Sequence, residues 1–209
     1  MKGPLFYSKI LLFGEYGIIQ DSKGLSIPYN FYNGALKKED HPSQDAIASN
    51  GHLKRFVTYL ESLQTEQPDL VQFDIATLQK DVNVGMYFDS SIPQGDGVGS
   101  SGALVPAIYD KYAQHKITVL ENLTREKLLE LKTIFSQMES FFHGKSSGLD
   151  PLNSYLSIPI LINSKDNIEA TGIPNQILDG KGAVFLLDSG IIGETAPMVS
   201  IFMENLKDK

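Results

Sequence analysis

The distribution of apolar residues predicts strands at the start of the chain and amphipathic helices in its middle. Residues 5–13, L-F-Y-S-K-I-L-L-F, have the content of a strand, and G-E-Y-G then breaks the run. Residues 25–32 offer a second strand, after which the polar stretch 35–51 reads as loop. Over 52–63, Leu53, Phe56, Val57, Leu60 and Leu63 recur at three- and four-residue steps and predict a helix with its stripe in the core. V-Q-F-D-I-A at 71–76 and V-N-V-G-M-Y-F-D at 82–89 predict two more strands. A helix over 103–112 contains Pro106, which removes a backbone donor and should kink the helix or delay its regular part. The longest amphipathic pattern, 124–142, places Leu128, Leu131, Phe135, Met138 and Phe142 on one face. Further strands are predicted at 154–163 and 181–190, with a last helix over 194–206.

Between the strand at 82–89 and the helix at 103–112 lies P-Q-G-D-G-V-G-S-S-G-A. Gly95, Gly97 and Gly99 remove side chains at alternate positions, so backbone N–H groups can converge on one anion. The helix that follows would turn the positive end of its dipole toward the same point, and a phosphate is the natural guest. A Gly/Ser-rich surface turn is the plain alternative. Charge sharpens the choice: a formal net charge of −7 argues against broad binding to nucleic acid or anionic membranes. There is no cysteine, which excludes disulfides and thiolate chemistry and suits a reducing cytoplasm. No apolar stretch approaches the roughly 18 residues of a membrane span.

Two charged residues sit in apolar patterns. Lys9 interrupts the first strand, as an edge or snorkelling residue would, or as one that touches a ligand. Glu139 is eleven residues, about three turns, after Leu128 and so lies inside the apolar arc of its helix. A buried carboxylate needs a cation, either an internal Lys or Arg or a metal ion. The segment H-G-K-S-S-G-L-D follows and ends at Asp150. Two motifs mislead. Gly97, Gly99 and Gly102 spell the dinucleotide fingerprint G-x-G-x-x-G with Glu121 as a ribose acid, but S-S-I-P-Q precedes them in place of a buried strand. Residues 144–148 spell G-x-S-x-G, yet His41, His52, His115 and His143 all precede Ser146, the reverse of the hydrolase order.

Three blocks together resemble the GHMP kinase family. S-K-I-L-L-F-G-E-Y at 8–16 is similar to the family's opening strand with its lysine and following G-E. P-Q-G-D-G-V-G-S-S-G-A resembles its P-x-x-G-x-G-S-S-A phosphate loop. E-S-F-F-H-G-K-S-S-G-L-D at 139–150 resembles the pattern E-x-x-x-H-G-x-P-S-G-x-D of the mevalonate kinase branch. The resemblance implies an α+β fold with a mixed sheet and helices in the ribosomal-protein-like arrangement of the family's first lobe. It implies ATP and Mg2+ as cofactors, with Pro93, Gly95, Gly97, Gly99, Ser100, Ser101 and Gly102 around the nucleotide phosphates and Ser101 and Glu139 as metal ligands. Asp150 and Lys9 would be the catalytic pair, and Glu15 and His143 would join them at the substrate. The implied activity is phosphorylation of a small-molecule alcohol, mevalonate favoured, in the cytoplasm, with no nucleic-acid or membrane partner and a monomeric or homodimeric state. Another kinase of the family, acting on a sugar or phosphomevalonate, or a non-catalytic binding module are the alternatives.

The chain departs from the family pattern at three places. Tyr16 stands where mevalonate kinases commonly carry histidine, Ser146 replaces proline, and Gly102 replaces the alanine after the two serines. The expected division is an ATP-binding domain over 1–160 and the beginning of a second lobe over 161–209.

Overall fold

The computed structural model describes residues 4–93, 99–119, 122–164, 166–172, 187 and 195–207. The first strand, β1 (Phe6–Phe13), runs where the apolar pattern puts it, and a short 3-10 turn (Gly17–Gln20) leads into β2 (Gly24–Lys37). At 14 residues β2 is much longer than the expected 25–32 and becomes the spine of the sheet. β1 pairs along one edge of it. On its other edge, β3 (Tyr87–Ser90) pairs with Gly34–Lys37 and β4 (Ile160–Ser164) with Gly24–Ser26, and β5 (Asn167–Ala170) pairs with β4. The α+β class holds, and every pairing among the described residues is antiparallel.

The helices differ more from expectation. α1 (Gln44–Glu66) begins inside the polar stretch read as loop, because Ser43 caps it by accepting from Ala46 N. Its first two turns are mostly exposed and carry no apolar stripe to announce them. V-Q-F-D-I-A is not a strand: Asp74 accepts from Thr77 N and starts α2 (Ile75–Asn83), leaving only an isolated bridge between Phe73 and Ala113. Leu78 and Val82, four residues apart, bury the inner face of α2. The strand expected over 82–89 is therefore cut down to β3.

α3 (Ser100–Tyr112) starts before its expected position and continues past Pro106. It is buried from Gly102 through Tyr109, as suits the central helix of a domain. It packs against β1, β2, α2, α4 (Arg125–His143) and α5 (Leu149–Leu156). α4 matches its periodic pattern almost residue for residue. The strand expected over 154–163 gives way to the end of α5 and, after Ser157 in the left-handed region at φ 52°, to β4. The strand expected at 181–190 falls outside the described residues, Leu187 excepted, and α6 (Thr195–Lys207) lies where the last helix is predicted. No helix among the described residues is long and apolar enough to cross a membrane.

Candidate active site at the N-terminal end of α3

Three chain segments meet where α3 begins. β1 brings Lys9, α4 brings Glu139 and His143, and α5 brings Asp150 in its first turn. The β1–α5 arrangement is fixed by Ser154, one turn after Asp150, whose hydroxyl donates to Tyr7 O at 2.7 Å. That bond sets where Lys9, two residues farther along β1, meets α5. Lys9 Nζ stands 3.2 Å from Asp150 Oδ1, with the lysine side chain 10% exposed and the aspartate 39%. The pair is thus closed toward the protein on the lysine side and open on the aspartate side.

Gly99 caps α3 and lies directly over this pair: a Cβ built on it would touch the Lys9 stem at 3.5 Å and Asp150 Oδ2 at 3.8 Å. Gly102 comes closer still. A Cβ there would lie 3.0 Å from Asp150 Cβ and 3.2 Å from the Asp150 carbonyl carbon, so the absence of a side chain lets the first turns of α3 and α5 touch. With a glycine at the cap, no cap side chain accepts from the first N–H groups of α3. These donors and the helix dipole suit an anion.

Beside them, Glu139 is 4% exposed. Ser101 Oγ donates to its Oε1 at 3.0 Å and the Ser146 hydroxyl donates to its Oε2. His143 Nε2 lies 2.9 Å from Ser101 Oγ; with the serine proton given to Glu139, the imidazole is the donor. Burial pushes the Glu139 carboxyl up to about 7, and the charge of Asp150 adds to the rise. The hydroxyls of Ser146 and Ser101, and then Lys9, hold it back. No lysine, arginine or histidine among the described residues forms an ion pair with it.

Of the predicted site residues, the structure brings together Lys9, Gly99, Ser101, Gly102, Glu139, His143 and Asp150, with Ser100 in the first turn of α3. Pro93 precedes the loop and is partly buried, while Gly95 and Gly97 lie outside the described residues, as does Glu121. Glu15 is not joined to the cluster: it is exposed in the turn after β1 and its carboxylate meets no partner among the described residues. Its neighbour Tyr16, with φ 61°, stacks on Phe202 of α6 with ring centroids 5.4 Å apart. Ser146 was legible only as a departure from a proline; its role in holding Glu139 needs the fold of the loop that follows α4.

Residues 63–157 match the family model described as the GHMP kinases N terminal domain. Among solved structures, the chain is similar to the mevalonate kinase of Methanococcus jannaschii at 14% identity, covering 82% of this chain and 56% of that one with a TM-score of 0.47. It is also similar to the mevalonate kinase from methicillin-resistant Staphylococcus aureus, at 19% identity, 79% and 53% coverage and a TM-score of 0.41. A third is L. major mevalonate kinase in complex with R-mevalonate, at 17% identity, 77% and 51% coverage and a TM-score of 0.40. The chain spans about half the length of these structures. No curated protein matches it by sequence. The likeness of this chain to the GHMP kinase family is thus to that family's N-terminal domain, over residues 63–157.

Proposed function

We propose that this chain is the nucleotide-binding part of an ATP- and Mg2+-dependent kinase that phosphorylates a small-molecule alcohol, with the primary hydroxyl of mevalonate as first candidate. The observation that carries this reading is the Lys9–Asp150 pair, 3.2 Å apart beneath Gly99, next to a buried carboxylate at the same helix end. The preference for mevalonate follows the sequence pattern over 139–150. In this reading the N–H groups at the start of α3 hold nucleotide phosphates, with the loop from Pro93 around them. Asp150, on the exposed side of the pair, orients the acceptor hydroxyl and takes its proton as the new O–P bond forms and ADP departs. Lys9, 3.2 Å from Asp150, faces the charge that builds on the transferred phosphoryl group.

The donor set fits magnesium. No cluster of three or more His, Cys, Asp or Glu gathers among the described residues, so a cation here would take Glu139 and the Ser101 hydroxyl, with water and phosphate oxygens for the rest. Magnesium would supply charge neutralisation between the phosphates. Glu139, buried and without a cationic neighbour in contact among the described residues, is the carboxylate such an ion would satisfy.

The test measures ADP release by this chain with Mg2+, ATP and a panel of alcohols including mevalonate, alongside calorimetry of nucleotide binding. Release that requires mevalonate supports the reading in full; release with another alcohol keeps the kinase and discards mevalonate. Nucleotide binding without release on any alcohol favours a binding module, and no nucleotide binding at all sinks the proposal.

A further inference from the structure

Ser146 stands where the pattern it resembles carries proline, and its side chain makes two bonds that proline lacks the atoms for. The hydroxyl donates to Glu139 Oε2, and the same oxygen accepts from Gly148 N at 3.0 Å. Its carbonyl takes the hydroxyl of Ser136, which lies on α4 one turn before Glu139. The loop after α4 is therefore folded back on the helix and fastened at both the backbone and the side chain of one residue. Gly148, two residues on, leaves no freedom either: at φ 75° a Cβ would fall 2.1 Å from Lys132 O, so the loop lies flat on the α4 backbone.

The two oxygens of Glu139 thus have different anchors. Oε1 faces α3 through Ser101, and Oε2 faces the loop that leads to Asp150 through Ser146. A hydroxyl that coordinates a cation through its oxygen must aim its proton elsewhere. When Ser101 does so, Oε1 loses its donor and becomes the free face of the carboxylate. Oε2 keeps its own.

We propose that Ser146 is a positioning residue that holds Glu139 Oε2, so that Oε1 alone is presented to the divalent cation and the carboxylate keeps one orientation with the ion bound or absent. The inference rests on the metal reading of the site given above. A carboxylate so pinned loses little freedom on binding, whereas one released from Ser146 must be ordered by the ion itself. The same pin ties the metal ligand to the peptide that carries Asp150, so the two groups stay in register.

The experiment uses the full chain with Ser146→Ala, Ser146→Thr and Glu139→Gln, titrated with Mn2+ and followed by the EPR signal of the free ion, with Mg2+ as competitor. Melting curves of the metal-free proteins run alongside. Ser146→Ala is expected to weaken Mn2+ and Mg2+ binding about tenfold, with Ser146→Thr restoring most of it. A hydroxyl with a merely structural role would lower the melting midpoint and leave metal affinity unchanged, and that result overturns the proposal. Unaltered binding in Glu139→Gln, or no saturable binding by the wild-type chain, overturns the metal reading itself and this inference with it.

Discussion

Lys9 and Asp150 come from the first strand and the fifth helix, yet their charged groups stand 3.2 Å apart, with the lysine 10% and the aspartate 39% exposed. Removing the carboxylate charge while keeping its shape isolates the proton-accepting role proposed for Asp150. Asp150→Asn is expected to lower turnover by at least ~10²-fold while nucleotide affinity stays within a small factor. The check is ADP release measured beside calorimetric titration, and unchanged turnover would take Asp150 out of the mechanism.

Gly102 packs closely on Asp150. A Cβ at 3.0 Å from Asp150 Cβ and 3.2 Å from its carbonyl carbon would push the first turn of α5 away by a few tenths of an ångström. Gly102→Ala, although it restores the residue that the family pattern carries, is expected to destabilise the fold by about 1–3 kcal/mol and to depress turnover by moving Asp150. Denaturation midpoints and kcat on the same preparation decide it; a variant as stable and active as the parent contradicts the geometry.

Glu139 predicts the pH dependence of the metal-free protein. Its carboxyl is raised from 4.5 to about 7, so between those values the folded chain holds a proton that the unfolded chain has lost. Stability contributed by this group is therefore present below pH 4.5 and falls as the pH rises toward 7, by up to about 3 kcal/mol. Glu139→Gln removes the titration. Urea unfolding at pH 5 and pH 8 without divalent ions should show the wild type losing stability relative to the variant; parallel losses in both would refute the assignment.

Ser154 tests whether the β1–α5 contact sets the site. Ser154→Ala strips Tyr7 O of a donor at a position that is 2% exposed at the serine, at a cost of about 1–3 kcal/mol. Because Lys9 follows Tyr7 by two residues, turnover should fall more than nucleotide affinity. Equal losses in both would mean that the bond serves only the fold.

The parts of the site legible in the sequence were those carried by strong local pattern. Glu139 could be placed inside an apolar arc because α4 repeats cleanly over five turns, and Lys9 stood out as a charge in an apolar strand. The first two turns of α1 and the whole of α2 were hidden for opposite reasons. The first two turns of α1 are solvated and depend on the Ser43 cap, whereas α2 is β-rich in composition and owes its helix to the Asp74 cap and to packing of Leu78 and Val82. Propensity lost to tertiary context there. Glu15 was read from a motif position, and the turn after β1 exposes it. Ser146 was beyond pattern altogether, since its partner Glu139 becomes a neighbour only when the loop doubles back over α4.

The hydroxyl of Ser154 on the carbonyl of Tyr7 closes a loop that spans most of the domain. Closing so long a loop carries an entropic cost that local helix formation does not, so this contact is expected to form after the helices. Competence is therefore a late event on the folding path: during refolding, the recovery of nucleotide turnover should track the last phase of tertiary fluorescence, not the earlier gain of helical ellipticity. A chain caught with its helices made and β1 unattached would hold every residue named above and lack the Lys9–Asp150 pair.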